Sequence, residues 1–349
     1  MTESMPTPAN TARILLGHGS GGRLYRDLVR DVFLSAFANP ILERLDDAAA
    51  LSASGRIALT TDAHVVQPLR FAGGDIGRLA VAGTVNDLAT AAARPLALAA
   101  AFVIEEGLPF AELEAVCASM AATAREANVA IVTGDTKVVE RGAADGLFIT
   151  TTGVGEIVVA HEVSPLAVRV GDAVILSGSV GDHAVAVLAA RGDFDFRADV
   201  ASDCAPLWDV VAAALKAAEA AGVPEAVRFL RDPTRGGLTT VLAEMAESAH
   251  LGVEVEEGAI PVAPAVQSVC DLLGYDPLTL ANEGKMVLVV APEVAPDVVD
   301  AVRATPYGRN ARQIGSVVAA HPGRVALRTR LGTRRVLDMP VGELLPRIC

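Results

Sequence analysis

The chain has 349 residues and a formal net charge of -13, and its Lys and Arg residues are scattered. This charge disfavours nucleic-acid binding, which takes most of its affinity from basic side chains on phosphates. The length predicts two domains, since single cores rarely exceed about 300 residues. No apolar run has the roughly 20 residues of a membrane helix, and the first residues lack a signal-peptide pattern. We therefore expect a soluble, cytoplasmic protein that binds no membrane.

Strand-like and helix-like segments alternate through the first half of the chain. An amphipathic helix is predicted after the glycine-rich stretch at residues 17–22. The apolar runs predict strands at 56–62, 96–104, 129–135 and 147–157. The Ala-rich runs predict helices at 77–94 and 110–127. This alternation is typical of a mixed layer of helices and strands.

A polar segment at residues 161–172 contains a proline turn and marks the predicted domain boundary. Beyond it, strands are predicted at 173–178, 252–257, 286–290, 313–318 and 324–329. Helices are predicted at 182–190, 205–221, 238–249, 262–274 and 295–305. The sequence therefore predicts an α/β or α+β protein, divided into residues 1–39, 40–160, 161–338 and a C-terminal tail of 339–349.

The four cysteines form no C-x-x-C pair and are too few for a disulfide framework. Cys117 and Cys270 fall on apolar helix faces, which predicts buried thiols. Cys349 is the last residue of the stretch LLPRIC and has no predicted packing role. The histidines show no paired spacing typical of a zinc site.

The stretch GHGSGGR places Gly17, Gly19 and Gly22 at the spacing of a dinucleotide-binding fingerprint. We reject that interpretation because the preceding strand would have three residues and no βαβ unit follows. Small residues before a helix still leave backbone N–H groups free to hold phosphates, and Gly21 belongs to the same stretch. The alternative is a glycine-rich entry turn without a ligand.

Aspartates recur among small residues in the first half. Each one alone is typical of a turn or a helix cap. Together they predict a Mg²⁺–nucleotide site, since hard oxygen ligands suit Mg²⁺ and two of the carboxylates end apolar strands. Lys137 would then offset phosphate charge. The set is Asp46, Asp47, Asp62, Asp87 and Asp135.

Two further motifs lie in the second half. RDPTRGG (231–237) sets Arg231, Asp232 and Arg235 before a predicted helix, whose N-terminus favours anions. ANEGK (281–285) sets Glu283 just before an apolar strand. A glutamate at that position suits a general base or a metal ligand, and the alternative is a solvated hairpin charge.

These motifs, together with TTDAHVVQPLRFAGGDIGRLAVAGTVNDLA, VTGDTKVVERG and the terminal PRIC, resemble the HypE family of hydrogenase maturation proteins. The resemblance runs from Ile14 to Cys349. It implies an α+β, two-domain aminoimidazole ribonucleotide synthetase-like fold, with N-terminal sheets pairing in a homodimer and a flexible C-terminal tail. The chain lacks the N-terminal reactive Cys of the related selenide water dikinases.

The resemblance also implies an activity and its residues. A carbamoyl group placed on Cys349 by the carbamoyltransferase HypF is dehydrated to a thiocyanate at the expense of ATP. The cyanide then passes to iron on a HypC–HypD complex. Cys349, Lys137 and Glu283 take the catalytic roles. The cofactor-binding residues are Gly19, Gly21, Gly22, Asp62, Asn86, Asp87, Thr136 and Arg235, and the Mg²⁺ ligands are Asp47, Asp62, Asp87 and Asp135.

Two other functions remain open at this point. One is a small-molecule ATP-dependent kinase or synthetase of the same superfamily, in which Cys349 has no role. The other is a non-enzymatic carrier of the cyano group, in which ATP only positions the tail.

Overall fold

A computed structural model gives the structure of residues 13–19, 23–45, 48–192 and 199–340. The predicted roles of Gly21, Gly22, Asp46, Asp47 and Cys349 concern positions outside the described residues. Among the helices that are described, none combines the length and the apolar character needed to cross a membrane.

The first half is built on a four-stranded sheet. Its strands are β1 (Ile57–His64), β4 (Ala93–Glu105), β5 (Ala130–Val139) and β6 (Leu147–Ile157), and β2 (Arg70–Phe71) with β3 (Gly74–Asp75) forms a small separate ribbon. The order is β1-β6-β4-β5, with β4 and β5 parallel and the other pairs antiparallel. The helices are α1 (Arg23–Leu28), α2 (Ser35–Phe37), α3 (Ile76–Thr90) and α4 (Phe110–Glu126), and a π-helical turn at Val29–Leu34 joins α1 to α2.

Helices cover only one face of this sheet. The alternation of buried and exposed residues along β6 shows the two faces, since neighbouring strand residues point in opposite directions. Helix α3 packs on the inner face, where Thr151 donates a hydrogen bond to the carbonyl of Ala80. The outer face is open within the described residues, and Leu59 on it is 70% exposed.

The second half is a seven-stranded sheet with helices on both faces. Its strand order is β13-β12-β9-β11-β7-β10-β8, with β9 and β12 parallel and the other pairs antiparallel. The strands are β7 (Ala173–Leu176), β8 (Val227–Arg231), β9 (Gly252–Glu256), β10 (Val287–Val290), β11 (Arg312–Val318), β12 (Val325–Arg328) and β13 (Arg334–Leu337). The helices are α5 (Asp182–Arg191), α6 (Trp208–Ala220), α7 (Gly237–Ala249), α8 (Pro264–Leu273) and α9 (Ala295–Arg303).

Every residue of β7 and β10 is buried, because each strand serves two cores. Ala173 and Ile175 join the core formed with α6 and α9, and the alternate residues Val174 and Leu176 join the core formed with α7. The continuous apolar runs that predicted these strands therefore reflect a sheet covered on both sides.

Helix α3 also connects the two halves. Twelve of its fifteen residues are buried, as expected of a helix surrounded by protein. Asn86 donates its side-chain amide to the carbonyls of Ala205 and Glu283 and accepts from the N–H of Leu207. The Asn86 side chain of α3 thus binds the second half directly.

The predicted α+β class is confirmed, and the apolar runs named above form strands and helices close to the predicted bounds. The short strands β8 and β13 and the β2–β3 ribbon were not predicted. One expectation is wrong, because Asp62 and Asp135 lie inside β1 and β5 rather than at their ends. Cys117 and Cys270 are buried as predicted, and Cys204 is buried as well. The four proposed chain divisions stay predictions.

Candidate active site

A cavity of about 640 Å³ lies between the two halves. Strand β1, the second half of α3, the loop after β8 and Glu283 line it. This cavity, called here the interdomain cleft, collects most of the charged residues that the sequence singles out. Its titratable side chains are Asp62, His64, Asp87, Arg231, Asp232, Arg235 and Glu283.

Asp62 reaches the cleft from the middle of β1 and faces α3. Gly83 on α3 makes room for it, since a Cβ at that position would lie 3.3 Å from Asp62 Oδ2 and 3.0 Å from His64 Cε1. His64 Nε2 lies 3.6 Å from Asp62 Oδ2 and 3.2 Å from Thr151 Oγ1. Burial lowers the pKa of His64 against the opposing effect of Asp62, so the imidazole is neutral near pH 7.

Asp87 and Asp232 face the same space from the two halves of the chain. Thr60 Oγ1 donates to Asp87 Oδ2 at 2.7 Å, and burial raises the pKa of Asp87. Burial and the negative charges of Asp87 and Asp62 raise the pKa of Asp232 to about 7. Like charges held together at low exposure indicate a place for a cation.

The turn before α7 brings in the positive charges. Gly236 and Gly237 have φ angles of 76° and 62°, the left-handed region that glycine adopts without strain. This turn sets Arg235 at the cleft, where its charge opposes the proton on His64 and lowers the pKa of Asp87 against the effect of burial. Arg231 lines the same wall. The two guanidinium groups can bind phosphate oxygens.

Glu283 lines the interdomain cleft, and Asn86 binds the backbone carbonyl of Glu283 without lining the cleft itself. Glu283 lines the cavity, and only 4% of the residue is exposed. Asn86 is 1% exposed and engages both ends of its amide with the backbone of the second half. In this arrangement the Asn86 side chain holds the first half of the chain against the second. Its predicted contact with a cofactor stays a prediction.

The other predicted residues form a second group along β5. Lys137 Nζ lies 3.2 Å from Asp135 Oδ2, and both side chains are exposed. A Cβ on Gly19 would lie 2.5 Å from the backbone N of Val138, so the glycine-rich segment touches the same strand. Asp135 and Thr136 also border a cavity of about 590 Å³ that is lined in part by Phe33, Phe37 and Phe102.

The two groups lie at opposite edges of the four-stranded sheet. Asp62 pairs with Thr151, Thr151 with Ala100, and Ala100 with Gly134, the residue before Asp135. Three strand spacings correspond to about 14 Å, and adjacent strand residues face opposite sides. Within one chain the structure therefore brings Asp62, Asp87, Arg235 and Glu283 together, but not Asp135 and Lys137 with them.

The carboxylate oxygens of the cleft are suitable ligands for a hard cation, but they do not form a complete coordination site. Across the described ranges, no three His, Cys, Asp or Glu side chains are already placed to hold a metal ion. Asp62, Asp87 and Asp232 do supply oxygen ligands to one cavity, and Mg²⁺ commonly completes its shell with water and substrate phosphate.

Sequence reasoning did not assign Asp232 or His64 to the site. The sequence places Asp232 only in a turn before a helix whose N-terminus favours anions. Its contact with the other aspartates depends on the packing of the two halves against each other. His64 carries no sequence signal of its own, because a histidine two residues after Asp62 is equally typical of a buried strand residue.

Comparison with known proteins agrees with this arrangement. Residues 45–157 match the family model for the N-terminal domain of AIR synthase related proteins, and residues 169–328 match that for the C-terminal domain. The carbamoyl dehydratase HypE of Cupriavidus necator is 49% identical over 346 residues, which cover 99% of this chain and 97% of the relative.

Two solved structures extend the similarity to three dimensions. A crystal structure of hydrogenase maturation protein HypE in complex with ATP has a TM-score of 0.89 and 47% identity, covering 96% of this chain and 99% of the other. A crystal structure of a HypE–HypF complex has a TM-score of 0.78 and 43% identity, covering 90% of this chain and 99% of the other.

The two-domain fold and the charged interdomain cleft define an AIR synthase related protein. Within that class, the family resemblance seen in the sequence is confirmed by 49% identity over 99% of this chain. The chain belongs to the HypE family of hydrogenase maturation proteins, and several of its relatives are named carbamoyl dehydratase HypE.

Proposed function

We propose that this chain converts a carbamoyl group on its own Cys349 into a thiocyanate with consumption of ATP, to supply cyanide for [NiFe]-hydrogenase assembly. The interdomain cleft carries the proposal, because it joins three carboxylates, two guanidinium groups and Glu283 in one cavity. The ATP complex of a 47% identical HypE supports the nucleotide.

The chemistry requires two consecutive steps. The carbamoyl oxygen attacks the γ-phosphate of ATP, which releases ADP and makes the oxygen a leaving group. Loss of the two N–H protons then expels phosphate and forms S–C≡N, so one water is removed in total. Arg235 and Lys137 offset the charge on the transferring phosphoryl group, and Glu283 accepts a proton from nitrogen.

We assign Mg²⁺ to the carboxylates of the cleft. Asp62, Asp87 and Asp232 would hold it, and Asp47 and Asp135 stay further predicted ligands. The ion supplies electrostatic stabilisation of the phosphate oxygens when bound. The glycine-rich segment with Gly19, Gly21 and Gly22, and Thr136 on β5, are proposed to contact the nucleotide.

A homodimer would complete this site. The open outer face of the four-stranded sheet is the surface proposed for pairing. If β5 of one protomer lies beside β1 of its partner, Lys137 and Asp135 of one chain join Asp62 and Asp87 of the other. The separation of the two groups within one chain supports this arrangement.

Mixed dimers test the shared site. Lys137→Ala and Asp87→Asn protomers, each inactive alone, are mixed under exchanging conditions. Because half of the dimers are then hybrid and each hybrid has one complete site, we expect about one quarter of wild-type activity. No recovery would place all the catalytic groups in one chain.

The activity itself is tested by intact mass. The protein is incubated with the proposed partner HypF, carbamoyl phosphate and ATP, and we expect carbamoylation at Cys349 followed by loss of one water and release of phosphate. A carbamoyl adduct that never loses water would support the carrier function instead. Turnover of a free substrate by Cys349→Ala would support a small-molecule kinase or synthetase.

A HypC–HypD complex is the proposed acceptor of the cyano group.

A further inference from the structure

The backbone beneath Glu283 is held by a buried ion pair that the proposed chemistry does not use. Asp203 Oδ1 accepts from the N–H of Glu283 at 3.1 Å, and its Oδ2 accepts from the N–H of Gly284 at 3.2 Å. Lys285 Nζ lies 3.1 Å from the same Oδ2. One carboxylate therefore fixes three consecutive residues.

Burial makes this arrangement stiff. The side chains of Asp203 and Lys285 are only 3% and 10% exposed. Removing one partner of such a pair leaves an uncompensated charge away from water, which is strongly unfavourable. Gly284 also packs so closely on residue 203 that a Cβ there would lie 1.7 Å from the Asp203 carbonyl oxygen. The two segments have no freedom to separate without losing these contacts.

The same short segment is held from its other sides. Asn86 on α3 donates to the carbonyl of Glu283 at 3.3 Å. Asn282 accepts from the N–H of Gly181 and donates to the carbonyl of Pro233, which lies in the turn that carries Asp232 and Arg235. The position of Glu283 is thereby tied to the cation-binding wall of the interdomain cleft.

Asp203 and Lys285 are themselves outside that cleft. They line a separate cavity of about 510 Å³, together with Arg78 and Tyr307. Any effect they have on the reaction must therefore pass through the segment that they hold, of which Glu283 is the member that lines the cleft.

We propose that Asp203 and Lys285 are positioning residues that set the carboxylate of Glu283 for proton removal. The inference rests on the proposed function, in which Glu283 is the base. Positioning matters because a displacement of about 1 Å in a reacting group can cost about 100-fold in rate.

The test is a double-mutant cycle on the isolated dehydration step. Carbamoylated wild type, Asp203→Asn, Glu283→Gln and the double variant are each mixed with ATP, and single-turnover formation of the thiocyanate is followed by intact mass. Asparagine keeps the shape of Asp203 but has one acceptor oxygen and no charge for Lys285. ATP affinity is measured in parallel.

We expect Asp203→Asn to lower the single-turnover rate about 10- to 100-fold with ATP affinity changed less than about 3-fold. In the Glu283→Gln background the same change should have almost no further effect, because residues that act through one group are not additive. Multiplying effects in the double variant, or a loss of ATP affinity that matches the loss of rate, would overturn the positioning role.

A matched control separates positioning from general stability. Asp172 is also a buried aspartate of the second half, paired with Arg228 and accepting from the N–H of Arg169 at 2.7 Å, and it lines neither cavity. Asp172→Asn should lower the melting temperature while the dehydration rate stays within about 2-fold of wild type. An equal loss of rate in this control would reduce Asp203 to a structural role.

Lysine variants provide the second arm if Asp203→Asn does not fold. Lys285→Arg preserves a cation for Asp203 and should retain most of the rate, whereas Lys285→Met should lose it as Asp203→Asn does. Equal rates for the two would contradict the inference. If Glu283→Gln itself keeps the wild-type rate, the assignment of Glu283 as base fails, and that failure is distinct from the others.

Discussion

At the residue scale, equivalent side chains differ because their surroundings differ. Asp135 is an exposed carboxylate beside Lys137, whereas Asp232 is buried between two other acids. Asp135 already has the charge of Lys137 beside it, whereas a bound cation would stabilise the ionised form of Asp232. Of the aspartates that the sequence presents as one set, Asp135 is therefore a surface group, whereas Asp62 and Asp87 line the cleft with Asp232.

Asp232 should make the folded protein sensitive to pH. Its pKa is about 7 in the folded chain and about 3.9 when unfolded, so the folded state binds more protons between these values. The free energy of unfolding must then fall as pH rises from about 4 to 7. We expect Asp232→Asn to remove this slope and to melt higher than wild type at pH 8 in EDTA.

Thermal unfolding between pH 5 and pH 8 measures this effect. Asp297→Asn, which changes an exposed carboxylate on α9, serves as the control and should keep the wild-type slope. Parallel curves for wild type and Asp232→Asn would contradict the prediction.

The cysteines allow a second prediction at this scale. Burial raises the pKa of Cys270 to about 11, and it raises the pKa of Cys204 and Cys117 as well. At pH 8 a thiol of pKa 11 is thiolate in only about one molecule in a thousand. We expect brief iodoacetamide treatment of the native protein to leave Cys117, Cys204 and Cys270 unlabelled, as read by peptide mass.

Denatured protein provides the control for labelling, because all four thiols should then react. Substantial native labelling of any of the three buried thiols would show that the packing around them opens readily.

At the element scale, α3 forms one wall of the cleft and packs on α4. Its two close approaches are made by glycines. Gly77 meets α4, where a Cβ would lie 2.5 Å from the carbonyl oxygen of Val116, and Gly83 meets Asp62 and His64. The same residue type thus serves packing at one end and the site at the other.

Alanine at these two positions should separate the roles. Gly83→Ala should keep or slightly raise stability, since alanine favours a helix by about 1 kcal/mol, but should weaken ATP binding about 10-fold by displacing Asp62. Gly77→Ala should cost about 1–3 kcal/mol of unfolding free energy through overpacking. Calorimetry and urea unfolding measure both effects.

Unchanged ATP affinity in Gly83→Ala would mean that Asp62 adjusts without consequence. A stable Gly77→Ala protein would mean that α3 and α4 can move apart.

At the scale of the whole molecule, the cleft exists only because the two halves are held in register. Asn86 supplies three hydrogen bonds across the boundary. Nearby, Arg78 of the first half pairs with Glu126 and also donates to the carbonyl of Cys204 and to Tyr307 of the second.

Asn86→Ala should loosen this register. It leaves the carbonyl of Ala205 and the N–H of Leu207 without this partner, which costs about 1–3 kcal/mol each before relaxation. The carbonyl of Glu283 keeps the hydrogen bond that it accepts from the N–H of Ala205. The change should weaken ATP binding together with stability. Asn39→Ala is the matched control, since Asn39 donates to Phe37 and Ile131 within the first half only. Asn39→Ala should lose stability alone, and wild-type ATP affinity in Asn86→Ala would contradict the prediction.

The sequence predicts the helices and strands better than it predicts the contacts between them. Continuous apolar runs such as 287–290 and the Ala-rich run of α3 are sufficient to locate buried elements. The order β1-β6-β4-β5 is not written in any local pattern, yet it decides that Asp62 and Asp135 lie apart. Asp232 enters the site only through the docking of two halves that are distant in sequence.

The two strands that end the N-terminal sheet have a further consequence. In a protomer outside the proposed dimer these edge strands are unpaired within the described part of the chain, and such strands invite pairing with other chains. Charged residues are a common protection against it. Asp62 lies on β1, and Asp135 and Lys137 lie on β5, so the groups proposed for catalysis also sit where they would discourage aggregation. Neutralising them should therefore lower solubility as well as activity, and light scattering must accompany every assay of these variants.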